Sequence, residues 1–139
     1  MPEILIIEDE RPIAELLKYS LEREGYAVRM AHTGADGLAA IESALPDLIL
    51  LDLMLPDMDG LDICRQVTQQ RKVPIIIVSA KNDQVDKIIG LEYGADDYIT
   101  KPFDIREVLL RMQSVLRRGG AASPEPGSED MLRQGDLCL

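Results

Sequence analysis

The residues of this sequence with the clearest capacity for chemistry lie where short apolar runs end in charge. The run at residues 48–51 leads directly into Asp52, and the run at residues 4–7 leads into Glu8 and Asp9. Three carboxylates brought close together repel one another and raise one another's pKa values, a conflict that a divalent cation removes. Oxygen ligands favour Mg²⁺, or Mn²⁺ in its place. We therefore expect Asp9 and Asp52 to bind the ion directly and Glu8 to act through water.

Asp52 has a second possible role, because a carboxylate can act as a nucleophile and form an aspartyl phosphate. Such a transfer needs the charge of the phosphoryl group to be neutralised, partly by the cation and partly by a lysine. Lys101 follows the last predicted strand and suits that role, and Pro102 behind it favours a cis Lys101–Pro102 bond. Ser79 offers a hydroxyl to the phosphoryl group, and the backbone carbonyl of Met54 offers the cation a further ligand.

These side chains can meet only if separate strands deliver them to one edge of a sheet. Amphipathic helical patterns alternate along the chain with short runs rich in Ile, Leu and Val. This alternation predicts an α/β fold, a (βα)5 flavodoxin-like, doubly wound parallel sheet with helices on both faces. The expected strand order is 2-1-3-4-5, which sets strands one and three side by side at the point where such sheets bind ligands. The predicted strands cover residues 4–7, 26–31, 48–52, 75–79 and 98–100, and the last helix covers residues 105–118.

The composition predicts a single domain with an aliphatic core. The 139 residues are 46% hydrophobic and 4% aromatic, and their formal net charge is −10. An acidic domain repels nucleic acid and anionic membranes. We therefore expect that its overall electrostatic field does not attract DNA and that it has no membrane partner. No apolar run approaches ~20 residues and acidic residues crowd the N-terminus, which predicts a soluble, cytoplasmic chain without a signal peptide. Cys64 lies in an apolar helical pattern typical of a core thiol, and His32 is given no role.

The character of the sequence changes after residue 118. Residues 119–130 are rich in Gly, Pro, Ser and Glu and lack apolar periodicity, which predicts a flexible linker behind a domain at residues 1–118. Residues 131–139 regain leucines around a Gly-Asp pair and resemble the first strand of a further domain. Nine residues are too few for a domain, so we interpret this segment as a fragment of a truncated C-terminal domain.

With these residues in hand, the chain resembles the receiver domain of a two-component response regulator over about residues 2–118. The resemblance implies phosphotransfer from a sensor histidine kinase to Asp52 with Mg²⁺, followed by slow hydrolysis. It also implies a switch pair in which Ser79 moves toward the phosphoryl group and Tyr98 turns inward. Because such a domain catalyses only its own phosphorylation, it is not an enzyme with a free product. The matching segments are IIEDE at residues 6–10, LDLMLPDMDG at 51–60, IVSA at 77–80 and GADDYITKPF at 94–103.

The last helix resembles that of the OmpR/PhoB group, in which the receiver precedes a winged-helix DNA-binding domain. The resemblance implies that active receivers form a homodimer through the fourth helix, the fifth strand and the fifth helix. Leu110 departs from the group, which usually has Ala there. The tail at residues 132–137 resembles the start of the DNA-binding domain, so DNA binding is expected only through the missing part. The expected pairs across a two-fold axis are Lys87 with Glu107, Asp97 with Arg111 and Asp96 with Arg118, around an apolar centre of Ile88, Leu91 and Leu110.

Three alternatives make different demands on the sequence. A flavin protein of the same fold needs a hydroxyl- or glycine-rich phosphate loop after strand one, where residues 8–10 are all acidic. A resemblance to the metal-dependent aspartyl-phosphate hydrolases would require an Asp-x-Asp pattern after strand one, whereas the nucleophile here follows strand three. A stand-alone receiver that signals by docking to a partner protein is the alternative to transcription control, and the linker and tail strand argue against it.

Overall fold

The computed structural model describes residues 1–119 except Arg71 and Asn82. The predicted linker at 119–130, apart from Gly119, lies outside the described residues, as do the predicted strand at 131–139 and Cys138. Strands and helices alternate throughout the described part, as the sequence predicts. The elements are β1 Glu3–Ile7, α1 Arg11–Arg23, β2 Ala27–Ala31, α2 Gly34–Ser43, β3 Leu48–Leu51, α3 Gly60–Gln70, β4 Ile75–Ser79, α4 Gln84–Glu92, β5 Asp97–Thr100 and α5 Ile105–Gly119.

The five strands form one parallel sheet in the order β2-β1-β3-β4-β5, which confirms the predicted fold class and strand order. The register aligns the ends of the central strands: Ile7 of β1 pairs with Leu51 of β3, and Ser79 of β4 pairs with Thr100 of β5. Asp52 N donates a hydrogen bond to Ile7 O at 3.0 Å, which continues the pairing one residue past β3. Residues that follow these strands are therefore delivered to the same edge.

Helices cover both faces of the sheet, so the central strands are buried throughout. Leu5 and Ile7 of β1 belong to a core shared with α2 and α3, whereas Ile4 and Ile6 belong to a core shared with α1 and α5. Such alternation on a strand with two covered faces explains why β1, β3 and β4 are almost continuously apolar. Cys64 of α3 is fully buried, as predicted, and burial raises the pKa of its thiol to about 11.

Helices α2 and α4 begin where the sequence supplies a side-chain cap. Thr33 precedes α2 and its hydroxyl oxygen accepts a hydrogen bond from Asp36 N at 3.1 Å, while Asp83 Oδ1 accepts one from Val85 N ahead of α4. Each bond satisfies a backbone N–H that has no partner within the helix. Gly25 follows α1 with a φ of +95°, a conformation that glycine adopts without strain. Among the described residues, no helix combines the length and the apolar character needed to cross a membrane.

Candidate functional site

Three carboxylates meet at the carboxyl edge of the sheet. Glu8 and Asp9 follow β1 and Asp52 follows β3, and one oxygen from each lies within 4.8 Å of the others. Glu8 and Asp52 are only 2% and 4% exposed, whereas Asp9 is partly exposed. The structure thus brings together the three acidic residues that the sequence predicted as metal ligands. Their oxygens form a donor set of the kind that hard divalent cations prefer.

Lys101 reaches the same place from the end of β5. Its Nζ lies 2.8 Å from Glu8 Oε1 and 3.2 Å from Asp52 Oδ2, and its side chain is 11% exposed. A third carboxylate, Glu10 Oε1, lies 3.2 Å from the same Nζ. The peptide bond between Lys101 and Pro102 is cis. Glu10 was not among the predicted site residues. Its place in the acidic run at residues 8–10, directly after β1, is the one feature of the sequence that pointed to the site.

The charges of the site are unbalanced. The pKa of Glu8 is raised to about 7, mainly by burial and in part by the nearby charge of Asp52, against the lowering effect of its hydrogen bond to Lys101. Burial lowers the pKa of Lys101, but its hydrogen bond to Glu8 and the charges of Asp52 and Glu8 outweigh that effect, so the pKa lies above its ordinary value. The single ammonium therefore neutralises only part of the negative charge around it. The remaining negative charge of the site favours the binding of a cation.

The loop between β3 and α3 closes over the Asp52 carboxylate. Met54 N donates to Asp52 Oδ1 at 3.1 Å, and Met54 forms an isolated antiparallel bridge with Asp59. Gly60 allows this close return, because a Cβ there would lie 2.6 Å from the Cα of Leu53. Met54, Asp9 and Lys81 line one cavity of about 560 Å³ at this edge. The predicted backbone ligand and one predicted acidic ligand therefore border the same cavity.

Ser79 is the last residue of β4, and Tyr98 lies in the neighbouring strand β5, where it pairs with Ile77. Ser79 is fully buried, and its hydroxyl oxygen accepts a hydrogen bond from Lys81 N at 3.3 Å. The Tyr98 ring is also buried, and its hydroxyl donates to Lys81 O at 2.6 Å. Burial, with the charge of Asp86, raises the pKa of Tyr98 to about 12. Both residues of the switch pair that the resemblance implies are therefore buried.

His32, which the sequence analysis left without a role, supports the end of β1. Its Nδ1 lies 2.9 Å from Glu8 O. Because a carbonyl oxygen can only accept, Nδ1 carries the proton of this bond. Glu8 N donates in turn to Ala31 O at 3.0 Å. The backbone on either side of the buried carboxylate is therefore fixed to the end of β2.

The residues predicted for a dimer interface lie on α4, β5 and α5, apart from Asp96, which directly precedes β5, and several contact one another within the chain. Arg111 NH1 lies 2.9 Å from Asp97 Oδ2, and Arg111 Nε lies 3.1 Å from Glu107 Oε2. Asp96 Oδ2 accepts a hydrogen bond from Ile75 N at 3.0 Å. A pair between Asp97 and Arg111 of two copies would therefore replace one that already exists within the chain. Large apolar residues are exposed beside these charges: Ile88 and Leu91 are 47% exposed and Leu110 is 66% exposed.

Comparison with known proteins gives one consistent family. A model of the response regulator receiver domain matches residues 4–113. Response regulator ArlR of Staphylococcus aureus is 53% identical over 118 residues, which are 85% of this chain and 54% of that protein. The chain therefore spans about half the length of the curated relatives it matches.

Solved structures give the same result. The BeF3-activated N-terminal receiver domain of Klebsiella pneumoniae RstA is 32% identical with a TM-score of 0.79, and the match covers 83% of this chain and 98% of that one. DrrB of Thermotoga maritima, described as an OmpR/PhoB homolog, is 33% identical with a TM-score of 0.78 and a match over 85% of this chain and 54% of that one. The chain belongs to the response regulator receiver domains of two-component systems, within the OmpR/PhoB-like group.

Proposed function

We propose that this chain accepts a phosphoryl group on Asp52 from a sensor histidine kinase in the cytoplasm. The observation that carries the proposal is the buried contact of Asp52 with Lys101, beside the Glu8 and Asp9 carboxylates. A nucleophilic carboxylate, a fixed ammonium and acidic metal ligands are the parts that phosphoryl transfer requires. Asp62, by contrast, is exposed and pairs with Arg65 at 3.6 Å.

In the proposed transfer, an oxygen of Asp52 attacks the phosphorus of the kinase phosphohistidine. The new O–P bond forms as the P–N bond breaks, and the electron pair of that bond goes to the imidazole nitrogen, which then takes up a proton. Lys101 holds a positive charge beside the acceptor oxygen, and the buried Ser79 hydroxyl is available as a donor to the transferred group. Slow hydrolysis of the acyl phosphate returns the chain to its starting form, without turnover of a free substrate.

The acidic cluster fits a divalent ion, and we propose Mg²⁺ or Mn²⁺. Asp9 and Asp52 would bind it directly, Glu8 through water, and the Met54 carbonyl would add a ligand from the loop. The ion supplies charge neutralisation at the phosphoryl oxygens. Among the protein groups, Glu8 keeps Lys101 in place through the 2.8 Å contact of its carboxylate with Nζ.

We propose that the output passes through Ser79 and Tyr98 to a homodimer interface on α4, β5 and α5. The exposed apolar side chains of Ile88, Leu91 and Leu110 support this proposal, because grouped apolar surface beside charged residues is typical of an interaction site. Ion pairs exposed at the rim would select the partner and register more than they would add affinity. A C-terminal DNA-binding domain beyond this chain would then control transcription, and DNA would be contacted only by that domain.

The assignment of Asp52 can be tested by labelling with a small acyl phosphate. We expect Asp52→Asn to abolish phosphorylation by radiolabelled acetyl phosphate in the presence of Mg²⁺, because the amide is not a nucleophile of comparable strength. Asp62→Asn is the matched control, since it removes one exposed carboxylate with the same change in charge. Equal labelling of the Asp52→Asn variant and the wild type would refute the assignment.

A further inference from the structure

The loop from residue 53 to residue 59 is attached to α2, a helix that precedes β3 in the chain. Asp57 Oδ1 accepts a hydrogen bond from Gly34 N at 2.7 Å, and Asp57 Oδ2 accepts one from Ala35 N at 2.9 Å. These are the first two residues of α2, whose N–H groups have no partner within the helix and carry the positive end of its dipole. Both bonds lower the pKa of the Asp57 carboxyl. A single side chain of the loop thus caps a distant helix.

Packing closes the same junction. Gly34 is buried beneath Met58, and a Cβ on Gly34 would lie 2.6 Å from Met58 Sδ and 3.2 Å from Asp57 Oδ1. The loop therefore approaches the start of α2 more closely than any residue with a side chain would allow. Two adjacent loop residues, one by hydrogen bonds and one by packing, fix the loop to the helix.

The other end of the loop carries the proposed metal ligand. Met54 bridges to Asp59, Met54 N donates to Asp52 Oδ1, and Gly60 N donates to Leu53 O at 3.0 Å. These bonds close the loop on itself. Asp57 then connects this closed loop to the start of α2. If Asp57 is replaced, we therefore expect the whole loop, including Met54, to shift.

We propose that Asp57 is a positioning residue of the metal site. The contact of Asp57 with α2 keeps the Met54 carbonyl close to the carboxylates of Asp52 and Asp9. The inference rests on the proposed Mg²⁺-dependent acceptance of a phosphoryl group. Asp57 itself is exposed and does not enter the acidic cluster. Its loss raises the Mg²⁺ concentration needed for phosphorylation and leaves the rate at saturating Mg²⁺ near that of the wild type.

The test compares Asp57→Ala with two controls at the same helix end. Thr33→Ala removes the helix's own cap without releasing the loop, and Asp36→Asn removes one negative charge from the first turn. Calorimetric titration with Mg²⁺ should give a dissociation constant about fivefold higher for Asp57→Ala, below the roughly 10- to 100-fold typical of losing a contact that orients a metal ligand directly. Amide hydrogen exchange at Gly34 and Ala35 should accelerate in the same variant.

A conservative variant sharpens the result. Asp57→Asn keeps one oxygen that can accept a hydrogen bond, so its Mg²⁺ affinity should lie between those of Asp57→Ala and the wild type. An Asp57→Ala affinity equal to that of the wild type, or an equal loss in Thr33→Ala, would overturn the inference while leaving the proposed function intact. A wild-type chain that neither binds Mg²⁺ nor accepts a phosphoryl group would instead remove the proposed function itself.

Discussion

At the scale of single residues, Lys101 determines the electrostatics of the site. Its ammonium contacts Glu8, Glu10 and Asp52, and the interactions with Glu8 and Asp52 keep its pKa above the ordinary value in spite of burial. A lysine in this place can serve two proposed roles. It holds the carboxylates together when no ion is bound, and it stabilises the phosphoryl group during transfer. If the charge is removed, the first role predicts that Mg²⁺ affinity stays equal or increases. The second role predicts that phosphorylation becomes slower.

We expect Lys101→Met to separate these roles. Phosphorylation by acetyl phosphate should fall roughly 10²- to 10³-fold, the usual cost of removing one group that stabilises developing charge. Mg²⁺ affinity should stay equal or increase, because the carboxylates lose a competing cation. Lys72→Met, at an exposed lysine, is the matched control for both measurements. Unchanged phosphorylation in Lys101→Met would contradict the proposed role of the ammonium.

At the scale of elements, α4 is attached to the sheet through very little apolar burial. Gly90 is the buried residue of this helix, and it packs against Ile77 of β4 and Tyr98 of β5. Three apolar residues of this helix, Val85, Ile88 and Leu91, are exposed. The helix therefore contacts the Tyr98 ring through a glycine, and any movement of that ring bears directly on α4.

We expect Gly90→Ala to lower the free energy of unfolding by about 1 kcal/mol, because overpacking costs of about 1–3 kcal/mol exceed the gain in helix propensity of about 0.5–1 kcal/mol. The added Cβ would lie 2.8 Å from Ile77 Cδ1 and 3.1 Å from Tyr98 Cδ2. Urea denaturation measures the change. In an Ile77→Val background, which lacks Cδ1, the same substitution should cost less. An equal cost in both backgrounds would rule out this contact as the cause.

At the scale of the whole molecule, charge and apolar surface are distributed unevenly. The acidic cluster occupies the carboxyl edge of the sheet, whereas four exposed apolar side chains lie on α4 and α5, namely Val85, Ile88, Leu91 and Leu110. Within one chain, Arg111 is already paired with Asp97 and Glu107. A homodimer through this face would therefore gain stability mainly from apolar burial, with rearranged ion pairs fixing the orientation of the two copies.

We expect beryllofluoride with Mg²⁺ to drive the wild type into a dimer and Leu110→Glu to prevent this. Each Leu110 would lose about 1.5–3 kcal/mol of apolar burial, and a two-fold dimer contains two of them, so the dissociation constant should rise at least about 100-fold. Sedimentation measures the association. Leu16→Glu, which places the same charge on an exposed leucine of α1, should leave dimer formation unchanged.

Either of two results would contradict the proposed interface. A wild type that stays monomeric under saturating beryllofluoride would exclude phosphorylation-driven dimers of this chain. A Leu110→Glu variant that dimerises as tightly as the wild type would show that the interface lies elsewhere. Leu110 is largely solvent-exposed, so the substitution should leave the unfolding transition of the monomer close to that of the wild type.

The fold and the gathering of the acidic residues at one edge follow from patterns in the sequence. Continuous apolar runs such as residues 48–51 are typical of strands covered on both faces, and parallel strands bring their carboxyl ends to one edge. Once the strand order is fixed, Asp52 must lie beside the end of β1. Glu8, Asp9 and Lys101 could therefore be assigned to the same edge from local patterns and chain topology alone.

The contacts between side chains that lie far apart in the chain could not be predicted from the sequence and are seen in the folded structure. The bonds of Asp57 to the start of α2, the contact of Lys101 with Glu10, and the outward orientation of the apolar side of α4 leave no periodic signal in the sequence. Hydrophobic periodicity reports that a helix has an apolar side, and it does not report whether that side meets the sheet or the solvent. That choice depends on how all the elements pack together.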